Sequence, residues 1–326
     1  MRDRKLAPVD HDLNRLLHNS IDQQCAVVGL GAYTSIVSRN GLKLVSDEIC
    51  ITTGNALTVG IGVRTMLRAA RSRQIDVSNS TLGIVGAGGN IGSIYAQILA
   101  EHVHQMILVG RAGRLQKLDR VAADIYSQIA LDEMGQLSQA DKVSNLARVI
   151  LSTESYQQIR PTDLQSLNGK QRFYESINRE LGDQRPVKVV DDMSQLAASN
   201  LILCASNAPD AVLFAEHIGD QQTIVCDVSV PEDVADSVHS CENAFVISGG
   251  IVELPRDPEL RWLGIDNLGQ GASYACMAET MLLGLDGRVE HGSYGPISKE
   301  QVYNMLELAD KHGFGLAQPK VGESVF

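Results

Sequence analysis

The sequence predicts an α/β fold, a doubly wound parallel sheet with a second, smaller lobe built from both chain ends. Three observations carry that prediction. Six short apolar segments between residues 82 and 250 are bounded by turn or polar residues, as parallel strands buried on both faces should be. The first of them runs through a glycine-rich loop into a helical pattern. The chain has 326 residues, 44% hydrophobic and 21% charged, enough for one large or two medium domains of soluble composition.

The glycine loop anchors the reading. Residues 81–92 read TLGIVGAGGNIG, so a strand over Leu82–Val85 enters glycines 86, 88, 89 and 92. Beyond the loop, Ile91, Ile94, Tyr95, Ile98 and Leu99 share one helical face. This strand–loop–helix order is the Rossmann-type setting for a dinucleotide. Glycine permits the turn, bare backbone admits a pyrophosphate, and a helix N-terminus faces its charge. Gly86, Gly88, Gly89, Asn90, Ile91 and Gly92 are the candidate cofactor-binding residues. Their GxxGxxG spacing (86, 89, 92) resembles a variant common in NADP-linked reductases. A tight turn without a phosphate is the plainer alternative.

The second strand, MILVG (106–110), ends in Arg111, with Arg114 three residues on. An NAD site usually places an acidic residue here for the ribose 2′-hydroxyl, whereas arginine suits a 2′-phosphate. The expected cofactor is NADPH, and the alternative is a solvated arginine opening the next helix. A second glycine cluster, VVGLGAYTSIV (27–37), runs into β-branched residues and an Asn40-Gly41 turn, with no amphipathic helix behind it. It is read as a decoy.

From residue 114 to about 185 the chain turns polar and helical in pattern, which predicts a helical insertion. Strands resume at 187–191, 201–206, 223–229 and 243–250. The expected domains are therefore a nucleotide domain over 78–265, insertion included, and a catalytic lobe from 1–77 and 266–326. In that lobe ITTGN (51–55) leads into a helix. Thr52, Thr53 and Asn55 offer hydroxyl and amide groups at the junction, and Asn55 reads equally as a helix N-cap. Arg64, Arg68 and Arg71 share one face of the same helix, either to dock an acidic carrier or phosphate or as a solvated face.

Cys276 lies in GQGASYACMAETMLLGLDG (269–287), where glycines and a serine precede an apolar helical pattern. A thiol in a helix's opening turns meets backbone N–H groups and the positive dipole end, which favour the thiolate. A small core residue is the plain alternative. The six cysteines (25, 50, 204, 226, 241 and 276) form no CxxC pair, which argues against structural zinc, any other metal site and a disulfide framework. A net charge of −11 argues against general nucleic-acid binding. No apolar run approaches the roughly 18 residues of a membrane span, and the N-terminus lacks an apolar signal core, so the expected location is cytoplasmic.

Seven separated strings together resemble one family, the long-chain acyl-(acyl carrier protein) reductases that form fatty aldehydes. They are LGAYTSIV (30–37), ITTGN (51–55), LGIVGAGGNIGS (82–93), Gly110-Arg111, VISGGIVE (246–253), YACMAETMLL (274–283) and DKHGF (310–314), in the family's order. The resemblance implies an acyl thioester, carried by acyl carrier protein or coenzyme A, that is transferred to Cys276 and reduced with NADPH to an aldehyde. Thr53 and Asn55 then become candidate oxyanion donors, and His312 or Glu279 the candidate base. Two departures stand out. The family carries a further N-terminal stretch, and this chain has the extra helical segment at 114–185. An acyl lobe shortened in this way would call for a partner, self-association or a different acyl group. Two other readings remain open at this stage. One is a shikimate-dehydrogenase-like ketone reductase using Lys43 and Asp47, and the other is a non-catalytic NADPH-binding scaffold.

Overall fold

A computed structural model of the chain describes residues 7–31, 33–135, 143–255, 268, 271–317, 320–321 and 324–325. Gly269 and Gln270 of the Cys276 run, Ala32 of the decoy cluster and residues 136–142 of the insertion lie outside the described residues. In chain order the first elements are α1 (Ala7–Asp22), β1 (Val27–Gly29), α2 (Tyr33–Val37), β2 (Cys50–Thr52) and α3 (Asn55–Ser72). Next come β3 (Thr81–Val85), α4 (Asn90–Leu99), β4 (Gln105–Val109), α5 (Gln116–Met134), α6 (Asn145–Leu151), α7 (Glu154–Gln158) and α8 (Leu167–Leu181). Strands β5 (Val187–Val190), β6 (Leu201–Cys204) and β7 (Thr223–Asp227) follow, then α9 (Asp236–His239) and β8 (Ala244–Ser248). The chain closes with β9 (Ile251–Glu253), β10 (Ala272–Tyr274), α10 (Ala275–Leu285), α11 (Lys299–Lys311), β11 (Gly315–Leu316), β12 (Lys320–Val321) and β13 (Ser324–Val325).

The chain divides into two compact units, Met1–Thr65 with Gly249–Pro319, and Met66–Ser248 with Lys320–Val325. The division falls within α3.

The larger unit is built on a six-stranded, wholly parallel sheet of order β5-β4-β3-β6-β7-β8. All six predicted strands are present, so the molecule is α/β with a doubly wound sheet. Successive strands step one way from β3 to β5 and the other way from β6 to β8. The order therefore reverses between β3 and β6, where sheets of this kind bind nucleotides beyond their carboxyl ends. Strands β6 and β7 are buried at every residue, which explains their uninterrupted apolar runs. Val85, Ile107, Val109, Ile202, Cys204, Val225 and Val246 form one core with Leu196 and Leu213. The helical segment between β4 and β5 is built from α5 to α8. Helix α5 packs on α4 and β5, α8 packs on α5, and Tyr126 meets Tyr174 edge-on at 5.3 Å.

In the other unit β1 and β2 pair in parallel, and β9 lies between antiparallel β10 and β11. Leu13 and Leu17 of α1 pack with Leu30, Leu44, Ile49 and Ile51. Helix α11 starts at a reciprocal capping box between Ser298 and Gln301, and buries Val302, Met305, Leu306, Leu308 and Ala309. The decoy cluster differs from expectation in one respect. A five-residue helix, α2, follows β1, because the Thr34 N–H and hydroxyl both donate to the Gly31 carbonyl. None of its residues is buried, so it gives β1 no packed crossover helix. Among the described residues no helix is long and apolar enough to cross a membrane.

Candidate active site

Cys276 is the second residue of α10, whose capping residue Tyr274 makes no side-chain cap. Pressed against it is Gly54, in the turn between β2 and α3. A Cβ on Gly54 would overlap the Cα, Cβ and carbonyl oxygen of Cys276. Gly54 also sits at φ +72°, so the turn needs glycine for both conformation and space. Two strings about 220 residues apart, ITTGN and YACMAE, are thus in backbone contact.

Glu279, one helical turn beyond Cys276 and fully buried, ties this junction together. Its Oε1 accepts from the Thr52 hydroxyl at 2.5 Å and from the Ser293 N–H at 3.0 Å. Its Oε2 accepts from the Leu57 N–H at 2.8 Å, a donor of the first turn of α3. The Ser293 hydroxyl accepts the Ala56 N–H at 2.8 Å, and the Ser293 carbonyl accepts both the N–H and the hydroxyl of Thr53. Helix α3 is therefore capped by Glu279 and Ser293 from distant parts of the chain, not by Asn55. Sequence reasoning missed Ser293. The only local signal was its turn string, GSYGP (292–296).

The electrostatics at Cys276 correct the thiolate expectation. Burial pushes the thiol above its ordinary value, its own N–H and that of Met277 pull it down, and the Glu279 charge pushes it further up. The helix start is present, but desolvation outweighs it, so the resting sulfur is a thiol.

His312 is corrected more sharply. It caps the end of α11, and its Nε2 lies 3.2 Å from Asp286 Oδ1. Asp286 follows the last residue of α10, ten residues past Cys276, or about 15 Å along the helix. Lys311, Arg288 and His312 together hold the Asp286 carboxyl well below the carboxylate range. His312 thus serves an ion-pair cluster at the far end of α10. Of the arginine row, Arg64 is committed to Asp310 through two parallel hydrogen bonds of 2.6 and 2.7 Å, Arg68 is half-buried and Arg71 is exposed. Lys43 is half-buried and Asp47 exposed.

In the sheet unit, Gly86 follows β3 at φ +84°, where a Cβ would strike the Ala205 carbonyl just past β6. Gly92 backs onto the Gly86 carbonyl, letting α4 approach the strand closely. Gly89 occupies the cap of α4 and offers no side chain to its first N–H groups, and Asn90 and Ile91 open the helix. Gly88 lies near Lys117 and Leu118. This bare cradle at the switch point fits a pyrophosphate. Arg111 and Arg114 are exposed just beyond β4, the position from which a side chain reaches a ribose 2′-substituent.

Sequence reasoning also missed a buried acidic cluster beyond β6 and β7. Asp227 accepts N–H groups of Ser229, Asp233 and Val234, while Asp233 accepts the hydroxyls of Ser206 and Ser229. Burial pushes the Asp227 carboxyl up to about 6, partly offset by the Ser229 N–H.

No protein-family model matches the chain. It is 23% identical over 297 residues to the aminotransferase PigE of a Serratia species, which covers 90% of this chain and 28% of that protein. It is 22% identical over 300 residues to a long-chain acyl-[acyl-carrier-protein] reductase of Synechococcus elongatus, covering 88% of this chain and 70% of the reductase. The chain thus spans little more than a quarter of the first relative and about two thirds of the second. Among solved structures, D-lactate dehydrogenase with NAD+ from Lactobacillus jensenii aligns at TM-score 0.31 and 10% identity, covering 90% of this chain and 76% of that one. A D-isomer specific 2-hydroxyacid dehydrogenase with NAD from Lactobacillus delbrueckii ssp. bulgaricus aligns at 0.34 and 10%, covering 90% and 84%. The fold assignment rests on the strand order itself.

Proposed function

We propose that the protein is a nicotinamide-dinucleotide-dependent oxidoreductase that reduces an acyl thioester to an aldehyde through an acyl-enzyme on Cys276. The observation that carries this reading is the junction of Gly54 with Cys276, with Glu279 bonded to Thr52 and Leu57. It supports a built thiol site in place of an incidental core cysteine. The likeness to the Synechococcus reductase supports the same chemistry.

In the proposed acylation the Cys276 sulfur adds to the thioester carbonyl, and the carrier thiolate departs with the proton that the thiol gave up. One thioester replaces another, so little free energy is lost, and the acyl group stays a better hydride acceptor than a carboxylate. Glu279 acts by position. Its three hydrogen bonds fix the TTGN turn and the start of α3 beside the sulfur. The dinucleotide, held by Gly86, Gly89, Gly92 and the start of α4, supplies the hydride when bound. Arg111 and Arg114 favour NADPH over NADH, since two guanidinium groups at the end of β4 match a 2′-phosphate. Acyl carrier protein or coenzyme A is the proposed acyl donor, and no side chain described here selects between them.

The test is aldehyde formation from acyl-CoA and acyl carrier protein thioesters with NADPH, followed by chromatography. The wild-type chain should release aldehyde, and Cys276→Ala should release none. Aldehyde formation that survives Cys276→Ala would remove the covalent step.

A further inference from the structure

We infer that Asn55 is a further catalytic residue, whose carboxamide donates to the thioester carbonyl oxygen while Cys276 attacks. The inference rests on the acyl-enzyme reading above. Its starting point is where the polar side chains of the TTGN turn go. Thr52 donates to Glu279 and accepts from the N–H groups of Gly54 and Ser293. Thr53 donates to the Ser293 carbonyl. Asn55 is only 6% exposed, and its carboxamide takes no part in the Glu279–Ser293 network that engages Thr52, Thr53, Ala56 and Leu57. A carboxamide outside that network keeps its two N–H donors available to a ligand.

The ordinary reason for asparagine at a helix start is capping, and that task is already taken. The Ala56 N–H goes to Ser293 and the Leu57 N–H to Glu279. The location points to a ligand instead. Asn55 directly follows Gly54, the residue pressed on Cys276, and opens α3. Helical Cα–Cβ bonds tilt toward the N-terminus, so this side chain leaves α3 at the end where Gly54 meets Cys276.

The chemistry at that place needs such a donor. As sulfur bonds to the carbonyl carbon, the C=O pair moves onto oxygen. The pair returns as the carbon–sulfur bond to the carrier breaks, and the carrier thiolate takes the proton released by Cys276. Negative charge sits on the oxygen only between those two events. A carboxamide N–H held there stabilises the transition state more than the neutral substrate.

The test uses the full chain without nucleotide, with octanoyl and palmitoyl thioesters of coenzyme A and of acyl carrier protein as probes. Adduct formation is timed by intact mass, and alkylation of Cys276 by iodoacetamide, which develops no carbonyl oxyanion, is timed in parallel. Asn55→Ala should slow acylation by about a hundredfold, the usual loss of one oxyanion donor, with alkylation unchanged. Asn55→Ser, which keeps a short hydroxyl donor and a good helix start, should recover part of the rate and remains informative if the alanine variant does not fold. Wild-type acylation rates in both variants, or equal losses of acylation and alkylation, would overturn the role of Asn55 alone. No adduct on the wild-type chain, with alkylation intact, would overturn the acyl-enzyme reading and Asn55 with it.

Discussion

At Cys276 two opposing effects meet on one atom. The helix start stabilises a thiolate, and burial beside a carboxylate opposes it; burial wins. The motif located the sulfur but could not weigh burial, because desolvation depends on packing such as that of Gly54, which only the fold brings near. Asp227 shows the same principle with a measurable outcome. Its folded value, about 6, lies above the usual carboxyl value near 4, so the folded state holds this proton more tightly than the unfolded chain does. Its contribution to stability is fully present below about pH 4 and is lost as pH rises through 6, amounting to about 3 kcal/mol. Urea unfolding of wild type and Asp227→Asn at pH 4.5 and 7 checks this. The wild type should lose more stability than the variant on going to pH 7, and parallel behaviour would contradict the assignment.

Among the elements, α3 and β4 bear most directly on the two candidate sites. Helix α3 starts without a local cap, so its first turn depends on a carboxylate from α10. Glu279→Ala would leave the Leu57 N–H and the Thr52 hydroxyl without their acceptor and should cost at least ~2 kcal/mol by chemical denaturation. A loss near zero would mean that water replaces the carboxylate. Arg111 lies two residues beyond strand β4, and Arg111→Ala should weaken NADPH binding about tenfold in a fluorescence titration while sparing NADH. Equal weakening of both would remove the 2′-phosphate assignment. The six sheet strands and the nucleotide loop were legible because their signals are local: apolar runs, glycine spacing and the helical pattern behind them. The capping of α3 was not, because its partners lie more than 200 residues away. The DKHGF match (310–314) nominated His312, but its partner Asp286 places it at the far end of α10 from the sulfur.

At the scale of the whole molecule, one unit holds a nucleotide cradle at the switch point of a parallel sheet, and the other holds a thiol clamped by distant motifs. In the proposed reaction Cys276 accepts an acyl group before any reduction. Its most direct measurement is intact mass after incubation with an acyl carrier protein or coenzyme A thioester in the absence of nucleotide, with the modified peptide mapped by digestion. A mass gain of one acyl group is expected on the peptide bearing Cys276, absent in Cys276→Ala and discharged on adding NADPH. An unmodified protein, or an adduct that persists in Cys276→Ala, would contradict it.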